Sequence, residues 1–549
     1  MNKMTFLLSG SLIAVTAAAS AQMSCGDLTP ASLGLQGVTF DEVLAVPAGE
    51  ESPAAQCRIR ATTAERVGTD GQDYALKFEL ALPDNWNGDY VHQFNGGNDG
   101  EVKPAMGSLP SGTGGLSALE RGYAVVSSDA GHNGKANRDK GLAAGAVFGH
   151  DFEARQMYGY KAVAVLDPLA RDIVEGFYGA DIDHAYGVGC SNGGRHAMVA
   201  AARMPDAFDG LLAGAPGFQL PKAALQHALD VQQFTSLTGD LATAFSREDL
   251  GLVSSKITEA CDGLDGLEDG YVADSASCQA TFDITALTCT AGQNSACLSA
   301  DQVNVLQTIS AGTETDGAPY YSDWAWDTAI GSGGWRFWKL ESPIPPKSKK
   351  PIIAVMGSSS LAQVFTTPPT EVAGDPDSLV DFLKGFDLQA RAQEIYATTA
   401  EYPESAMEVM TPPGSDDPKL AEFKAAGGKF IVFHGVGDPV FSANATANWY
   451  DALNANNGGD AGDFVRYYPV SGMAHCSGGA TLDQYDLFEK LVDWVEKDEA
   501  PEAVVVSARA DNKEVPEALK TASRLLCPAP KVARYTGGDA ASSDSFTCQ

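Results

Sequence analysis

The sequence predicts an α/β fold, a largely parallel sheet with helices on both faces. Short apolar runs of strand length alternate with stretches of helical spacing. A turn of small residues, Gly189-Cys190-Ser191-Asn192-Gly193, joins one such run to a helix. In chain order the strand-like runs are 74–82, 90–94, 123–127 and 185–188. Helical spacing covers 158–176, and an Ala-rich helix at 195–203 is stopped by Met204-Pro205. A short strand at 210–213 follows; the next, 430–433, comes only after about 200 residues, and a last apolar run covers 464–470.

The stretch 221–427 differs in composition. It holds four of the ten cysteines, four of the seven tryptophans (Trp324, Trp326, Trp335, Trp338) and a Pro/Lys-rich segment at 342–351. It reads as an insertion after the strand that follows the Ser191 helix. There it would hang over the strand ends, where ligands bind in open α/β folds, as a lid. A chain of 549 residues is too long for one compact core. The expected division is a leader at 1–21, a catalytic domain from 22–220 and 428–549, and a lid at 221–427.

The leader expectation rests on Lys3, an apolar run at 6–19 and the small-x-small triplet Ala19-Ser20-Ala21, which place the mature start near Gln22. That run is too short to span a membrane, so a secreted or periplasmic protein is expected. None of the ten cysteines lies in the leader, so an exported chain can pair all of them. The formal charge is 37 − 71 = −34. It opposes nucleic acid and anionic membrane as partners, since both are held by clustered Lys and Arg, and leaves small neutral or aromatic molecules.

Ser191 is the candidate nucleophile. Glycines two residues either side let strand and helix backbones approach closely, which pushes the serine outward. A serine hydroxyl needs a base oriented by a carboxylate. Beyond the helix that follows Ser191 three histidines remain: His227, His434 and His475. His475, in the loop after the 464–470 run, suits the base; His434, at a strand end, is the runner-up. Asp438, just past the 430–433 strand, completes the order Ser, Asp, His, although a plain turn carboxylate has the same local sequence. Cys190 precedes Ser191 and Cys476 follows His475. If serine and histidine touch, these neighbours come within disulfide reach, closing a loop of nearly 290 residues.

The chain resembles the tannase and feruloyl esterase family of α/β-hydrolases. The resemblance is carried by Cys190-Ser191-Asn192-Gly193-Gly194, His475-Cys476, His434-Gly435-x-x-Asp438, Asp129-Ala130-Gly131-His132 and Phe365-Thr366-Thr367-Pro368-Pro369, and it spans roughly 25–548. It implies an α/β-hydrolase fold with the large lid and the Cys190–Cys476 disulfide. It further implies an oxyanion hole from the backbone N–H groups of Gly97, in the loop 95–100, and Asn192. The loop 261–271 is an acidic turn by composition. By resemblance it is a structural Ca²⁺ site formed by Asp262, Asp265 and Asp269 with the carbonyls of Leu267 and Tyr271. The family pattern, with sequence proximity, pairs Cys25 with Cys57, Cys261 with Cys278, Cys289 with Cys297, and Cys527 with Cys548.

The serine, base and carboxylate predict ester hydrolysis through an acyl-enzyme without an organic cofactor, and the resemblance implies aromatic esters of the feruloyl or hydroxycinnamoyl type. Gallate esters or mono(2-hydroxyethyl) terephthalate are alternative substrates. Trp335, Phe365 and Phe441 are the candidate pocket residues, against the alternative that they pack in the core. A catalytically silent binding homologue and a peptidase on the same fold are the rival readings; the intact Ser, Asp and His set stands against the first. No zinc-type Cys/His spacing is present, which disfavours a metallohydrolase.

Overall fold

The structure is a computed structural model that describes residues 22–549 apart from 294, 316 and 345–347, so the expected leader lies outside the described residues. Nine strands build the main sheet: β1 (Val38–Val46), β2 (Gln56–Val67), β3 (Asp73–Pro83), β4 (Tyr90–Phe94), β5 (Ala124–Ser128), β6 (Ala185–Cys190), β7 (Gly210–Gly214), β8 (Lys429–Gly435) and β9 (Val465–Val470). Their order is β1-β2-β3-β5-β4-β6-β7-β8-β9. From β5 to β9 neighbouring strands run parallel, whereas β1, β2 and β3 are antiparallel to their neighbours.

The antiparallel flank departs from the expected largely parallel sheet. Strands β1 and β2 lie outside the expected runs because polar residues interrupt them and most of β1 is not buried. Charge pairs stand in for apolar content there: Arg58 meets Glu42 at 3.2 Å and Arg60 meets Glu79 at 3.0 Å. Charged side chains on an outer strand also keep it from pairing with another chain.

The parallel strands are apolar on both faces, and the two-residue period sorts their side chains into two cores. Phe94, Val126, Leu211, Ala213 and Val432 pack with Ala197, Met198 and Ala201 on one face. Val91, Val125, Val188, Leu212 and Ile431 pack with Phe488, Leu491 and Trp494 of the helix Leu487–Lys497 on the other. Helix α1 (Ala162–Tyr178) buries Leu166, Ala170, Ile173, Val174 and Phe177 at helical spacing and ends at Gly179, whose φ of 66° supplies the left-handed cap. Helix α2 (Asn192–Arg203) follows β6 directly.

The chain steps from β4 outward to β5, then back across β4 to β6. This reversal opens a crevice at the carboxyl ends of β4 and β6. Between β7 and β8 the chain is mainly helical and includes α3 (Leu220–Thr238) and α4 (Gly333–Lys339). Helix α3 runs across the boundary expected at 220/221. The two helices are tied by a buried ion pair, Lys339 Nζ to Asp230 Oδ2 at 2.5 Å, with side chains 3% and 0% exposed. Burial raises the Asp230 carboxyl and the Lys339 charge opposes it. Replacing Lys339 by Met leaves a buried charge without its partner, so the variant is expected to lose about 3–5 kcal/mol. Its urea midpoint should fall and be largely restored by adding Asp230→Asn.

Candidate active site

Ser191 sits at the junction of β6 and α2 with φ of 66°, a conformation that costs a non-glycine residue about 1–3 kcal/mol. The turn is tight enough that a Cβ on Gly189 would lie 2.6 Å from the Gly193 carbonyl carbon, and one on Gly193 would collide with the Phe94 carbonyl oxygen. Only glycine fits at both positions. Gly189→Ala is expected to destabilise the protein by at least about 1–3 kcal/mol, seen as a lowered urea midpoint; an unchanged midpoint would mean that the turn is looser than described.

His475 Nε2 lies 2.8 Å from Ser191 Oγ, and His475 Nδ1 lies 2.7 Å from Asp438 Oδ2. These three side chains come from the carboxyl ends of β6, β8 and β9, brought level by the parallel register that pairs Gly435 with Val470. Asp438 is fully buried and has four donors. Its Oδ1 accepts the Val440 and Phe441 amides at 2.7 and 3.2 Å, and its Oδ2 accepts His475 and also His434 Nε2 at 3.2 Å. His434 is therefore a second imidazole on the same oxygen, anchored through Nδ1 to Thr446 Oγ1 at 2.9 Å. Burial pushes the Asp438 carboxyl upward. The charge of His475 and the hydrogen bonds from both histidines outweigh that and hold it below the ordinary carboxylate range.

The Cys190–Cys476 disulfide joins the residues adjacent to Ser191 and His475, with Cα atoms 6.1 Å apart across 286 residues of sequence. The other four disulfides are Cys25–Cys57, Cys261–Cys278, Cys289–Cys297 and Cys527–Cys548, and no cysteine is free among the described residues. Among those residues no helix is long and apolar enough to cross a membrane.

Gly97 follows β4 with φ of 66°, and its loop lies against the serine turn: a Cβ on Gly96 would meet the Cys190 carbonyl at 3.5 Å. Asn192 is the first residue of α2, where the N–H has no partner within the helix. A chain of hydrogen bonds links these two positions. Arg195, fully buried, donates to Asn192 Oδ1 at 2.7 Å and to the Tyr158 and Gly159 carbonyls at 2.8 and 2.6 Å, while the Tyr158 hydroxyl donates to the Gly97 carbonyl at 3.2 Å. The Asn192 amide also donates to Asp99 Oδ2 at 2.8 Å, so this side chain is committed to the buried network. Burial, opposed by the charges of His132 and Arg195, pushes the Asp99 carboxyl up to about 7.

A cavity beside the serine turn contains Ser191, Gly97 and Asn192 in its wall. Phe365 and Phe441 line it; Trp335 does not. Trp335 is buried edge-on against Phe234, with ring centroids 6.2 Å apart, and faces a separate cavity behind Asp438. Trp338, rotated about 60° around the same short helix, lines the site instead, its ring 5.1 Å from that of His475. The tryptophan-rich run marks the right helix, but its period cannot say which ring faces inward. Asp99, Arg195, Tyr158 and Trp338 are not among the expected site residues; Asp99 stands two residues after Gly97, the one local signal for it.

In the acidic loop Asp262 accepts the Asp269 and Gly270 amides at 3.1 and 2.9 Å, Asp265 the Leu267 amide at 3.0 Å, and Asp269 the Tyr271 amide at 3.0 Å. Burial, partly offset by the Leu267 N–H and reinforced by the charges of Asp269 and Asp262, pushes Asp265 up to about 6. Arg524 pairs with Asp269. Three carboxylates face one guanidinium, an oxygen-rich set of the kind a hard cation takes, although their ligand atoms are not gathered within 4.8 Å of one another among the described residues. Elsewhere, Asp89, His184 and Glu496 bring ligand atoms within 4.8 Å of one another. Asp89 also accepts the His184 amide and Glu496 the Tyr186 hydroxyl, contacts that join the starts of β4 and β6 to the helix Leu487–Lys497.

The family described as "Tannase and feruloyl esterase" matches residues 59–549. Mono(2-hydroxyethyl) terephthalate hydrolase of Piscinibacter sakaiensis is 35% identical over 523 residues, covering 90% of this chain and 84% of that protein. A probable feruloyl esterase of Arthroderma benhamiae is 28% identical, covering 85% of this chain and 81% of its own. Among solved structures, feruloyl esterase B from Aspergillus oryzae shares the fold with a TM-score of 0.72 at 23% identity, covering 94% of this chain and 97% of that one. The chain is thus a carboxylic ester hydrolase of the α/β-hydrolase fold and belongs to the tannase and feruloyl esterase family.

Proposed function

We propose that the chain is an exported serine esterase that hydrolyses neutral aromatic esters of the feruloyl or hydroxycinnamoyl type. The observation that carries this is the Ser191–His475–Asp438 chain at 2.8 and 2.7 Å, opening onto a largely apolar cavity. Ser191 Oγ attacks the ester carbonyl as His475 Nε2 takes its proton, and the backbone N–H groups of Gly97 and Asn192 receive the oxyanion. His475 returns the proton to the departing alcohol. Water then attacks the acyl-enzyme with the same imidazole as base, releasing the acid and restoring Ser191. Five disulfides in one chain support an oxidising, extracytoplasmic setting.

The walls favour a neutral acyl group. Among the described residues that line the cavity there is no Lys, Arg, Asp or Glu. The free carboxylate of a terephthalate monoester would lose its hydration there without a countercharge. The 35% identical relative named for that monoester is the ground for a second reading. Ser191→Ala is expected to lose at least about 10³-fold in turnover of methyl ferulate, and turnover retained in that variant would sink the assignment. In the wild type, kcat/KM for methyl ferulate should exceed that for mono(2-hydroxyethyl) terephthalate at least about tenfold; the reverse order would favour the second reading.

The same proposal gives the loop 262–271 a structural Ca²⁺, held by Asp262, Asp265 and Asp269 and the carbonyls of Leu267 and Tyr271. A bound ion would offset the mutual repulsion of the three carboxylates and fix the loop, with no part in the chemistry. Chelation should lower Tm by about 2–4 °C or more, and added Ca²⁺ should restore it. Equal Tm with and without chelator would remove the ion.

A further inference from the structure

Three consecutive residues of the loop after β4 are each held by a side-chain hydrogen bond. The Tyr158 hydroxyl donates to the Gly97 carbonyl at 3.2 Å, Asn98 and Ser360 bond each other at 3.0 and 3.2 Å, and Asp99 Oδ2 accepts the Asn192 side-chain amide at 2.8 Å. The loop also bends sharply, with φ of 66° at Gly97, 53° at Asp99 and 77° at Gly100. A left-handed conformation at a residue other than glycine persists where its surroundings fix it, and such residues gather at functional sites. At Asp99 the fixing contacts come from its own carboxyl group. That side chain is 2% exposed and meets Asn192 and, at 3.1 Å, His196 Nε2.

These contacts close a circuit. The backbone runs from Gly97 to Asp99, Asp99 holds Asn192, and Asn192 Oδ1 accepts Arg195 Nε at 2.7 Å. Arg195 Nη2 then donates to the Tyr158 carbonyl at 2.8 Å, and the Tyr158 hydroxyl returns to Gly97. Asn192, Arg195 and Tyr158 are all buried, where the low local dielectric strengthens each bond. Without the Asp99 carboxyl group, Gly97 and Asn192 stay joined on one side only, through Tyr158 and Arg195. Gly97 and Asn192 line the cavity and Asp99 does not, so Asp99 acts on the site through them.

We infer that Asp99 is a positioning residue: its carboxyl group closes the circuit that fixes the Gly97 loop against Asn192, and so sets the spacing on which stabilisation of the oxyanion depends. This role rests on the proposed reading of Gly97 and Asn192 as the oxyanion donors. The oxyanion exists only once Ser191 has attacked, so a looser circuit weakens binding of the tetrahedral state and leaves substrate binding nearly unchanged. The contact needs an acceptor oxygen, which the amide of asparagine also supplies.

A pair of ketones separates the two states. In the trifluoromethyl ketone that replaces the ester of methyl ferulate, Ser191 Oγ adds to the carbonyl carbon, His475 takes the serine proton and the carbonyl oxygen becomes the oxyanion. The matched methyl ketone binds without that addition. The wild type should bind the trifluoromethyl ketone at least about 100-fold more tightly than the methyl ketone. Asp99→Ala should lower kcat for methyl ferulate about 10- to 100-fold, with KM within about threefold of the wild type. It should weaken the trifluoromethyl ketone by a similar factor and leave the methyl ketone within about threefold. Asp99→Gly, which suits the left-handed φ, should do the same and serves where the alanine variant does not fold. Asp99→Asn should keep kcat within about fivefold of the wild type. Unchanged kcat in Asp99→Ala and Asp99→Gly, or equal weakening of both ketones, overturns the inference. An asparagine variant as impaired as the alanine one overturns the hydrogen bond as its cause. A wild type that binds both ketones alike, or a preference that survives Ser191→Ala, overturns the reading of the site and this inference with it. A Ser191-dependent preference that the Asp99 variants leave intact overturns this inference alone.

Discussion

Two short contacts, from Ser191 to His475 and from His475 to Asp438, must be held between residues 284 and 37 positions apart in sequence. Parallel strands meet that demand because they end on the same rim of the sheet, so loops after β6, β8 and β9 converge without long reaches across the molecule. The reversal between β4 and β6 adds the Gly97 loop to the same rim. A disulfide one residue away from both serine and histidine then fixes the two loops to each other. In chain-entropy models a crosslink over such a span is worth about 5 kcal/mol, and here it acts where a small displacement would break the hydrogen bond.

Around this rim the fold gathers polar groups that would be costly alone. Asp438 carries its charge in a fully buried place because two amides and two imidazoles donate to it. That arrangement also dictates proton positions. His475 must carry hydrogen on Nδ1, which leaves Nε2 free to accept from Ser191. His434 must carry hydrogen on Nε2, which obliges the Thr446 hydroxyl to donate to Nδ1. On the other side of the serine, Arg195 connects Asn192 to the turn that holds Gly97. Gly97 and Asn192, which both line the cavity, are thereby tied into one hydrogen-bond network and not held by two independent loops.

Much of this is legible in the chain because the relevant signals are local. The strand at 185–188 with its flanking glycines marks the turn at Ser191, and the placement of Cys190 and Cys476 beside serine and histidine links that turn to His475 in the sequence itself. The parallel strands stand out as apolar runs, since both of their faces are buried. Strands β1 and β2 do not, because they trade apolar burial for cross-strand ion pairs whose partners lie far away in sequence, such as Arg60 and Glu79. The turn of Trp335 away from the site is illegible for a related reason: its ring packs on Phe234, about 100 positions earlier.

The covalent ring closed by Cys190 and Cys476 has a consequence for how such a protein can change. Everything that shapes the far wall of the cavity, from α3 to Phe365, is strung along a loop whose two ends cannot separate. Adding or removing residues in that loop alters its closure entropy only slowly, about 0.6 kcal/mol for a doubling of length. The wall between α3 and Phe365 can therefore change in length while the disulfide keeps the Ser191 and His475 loops together.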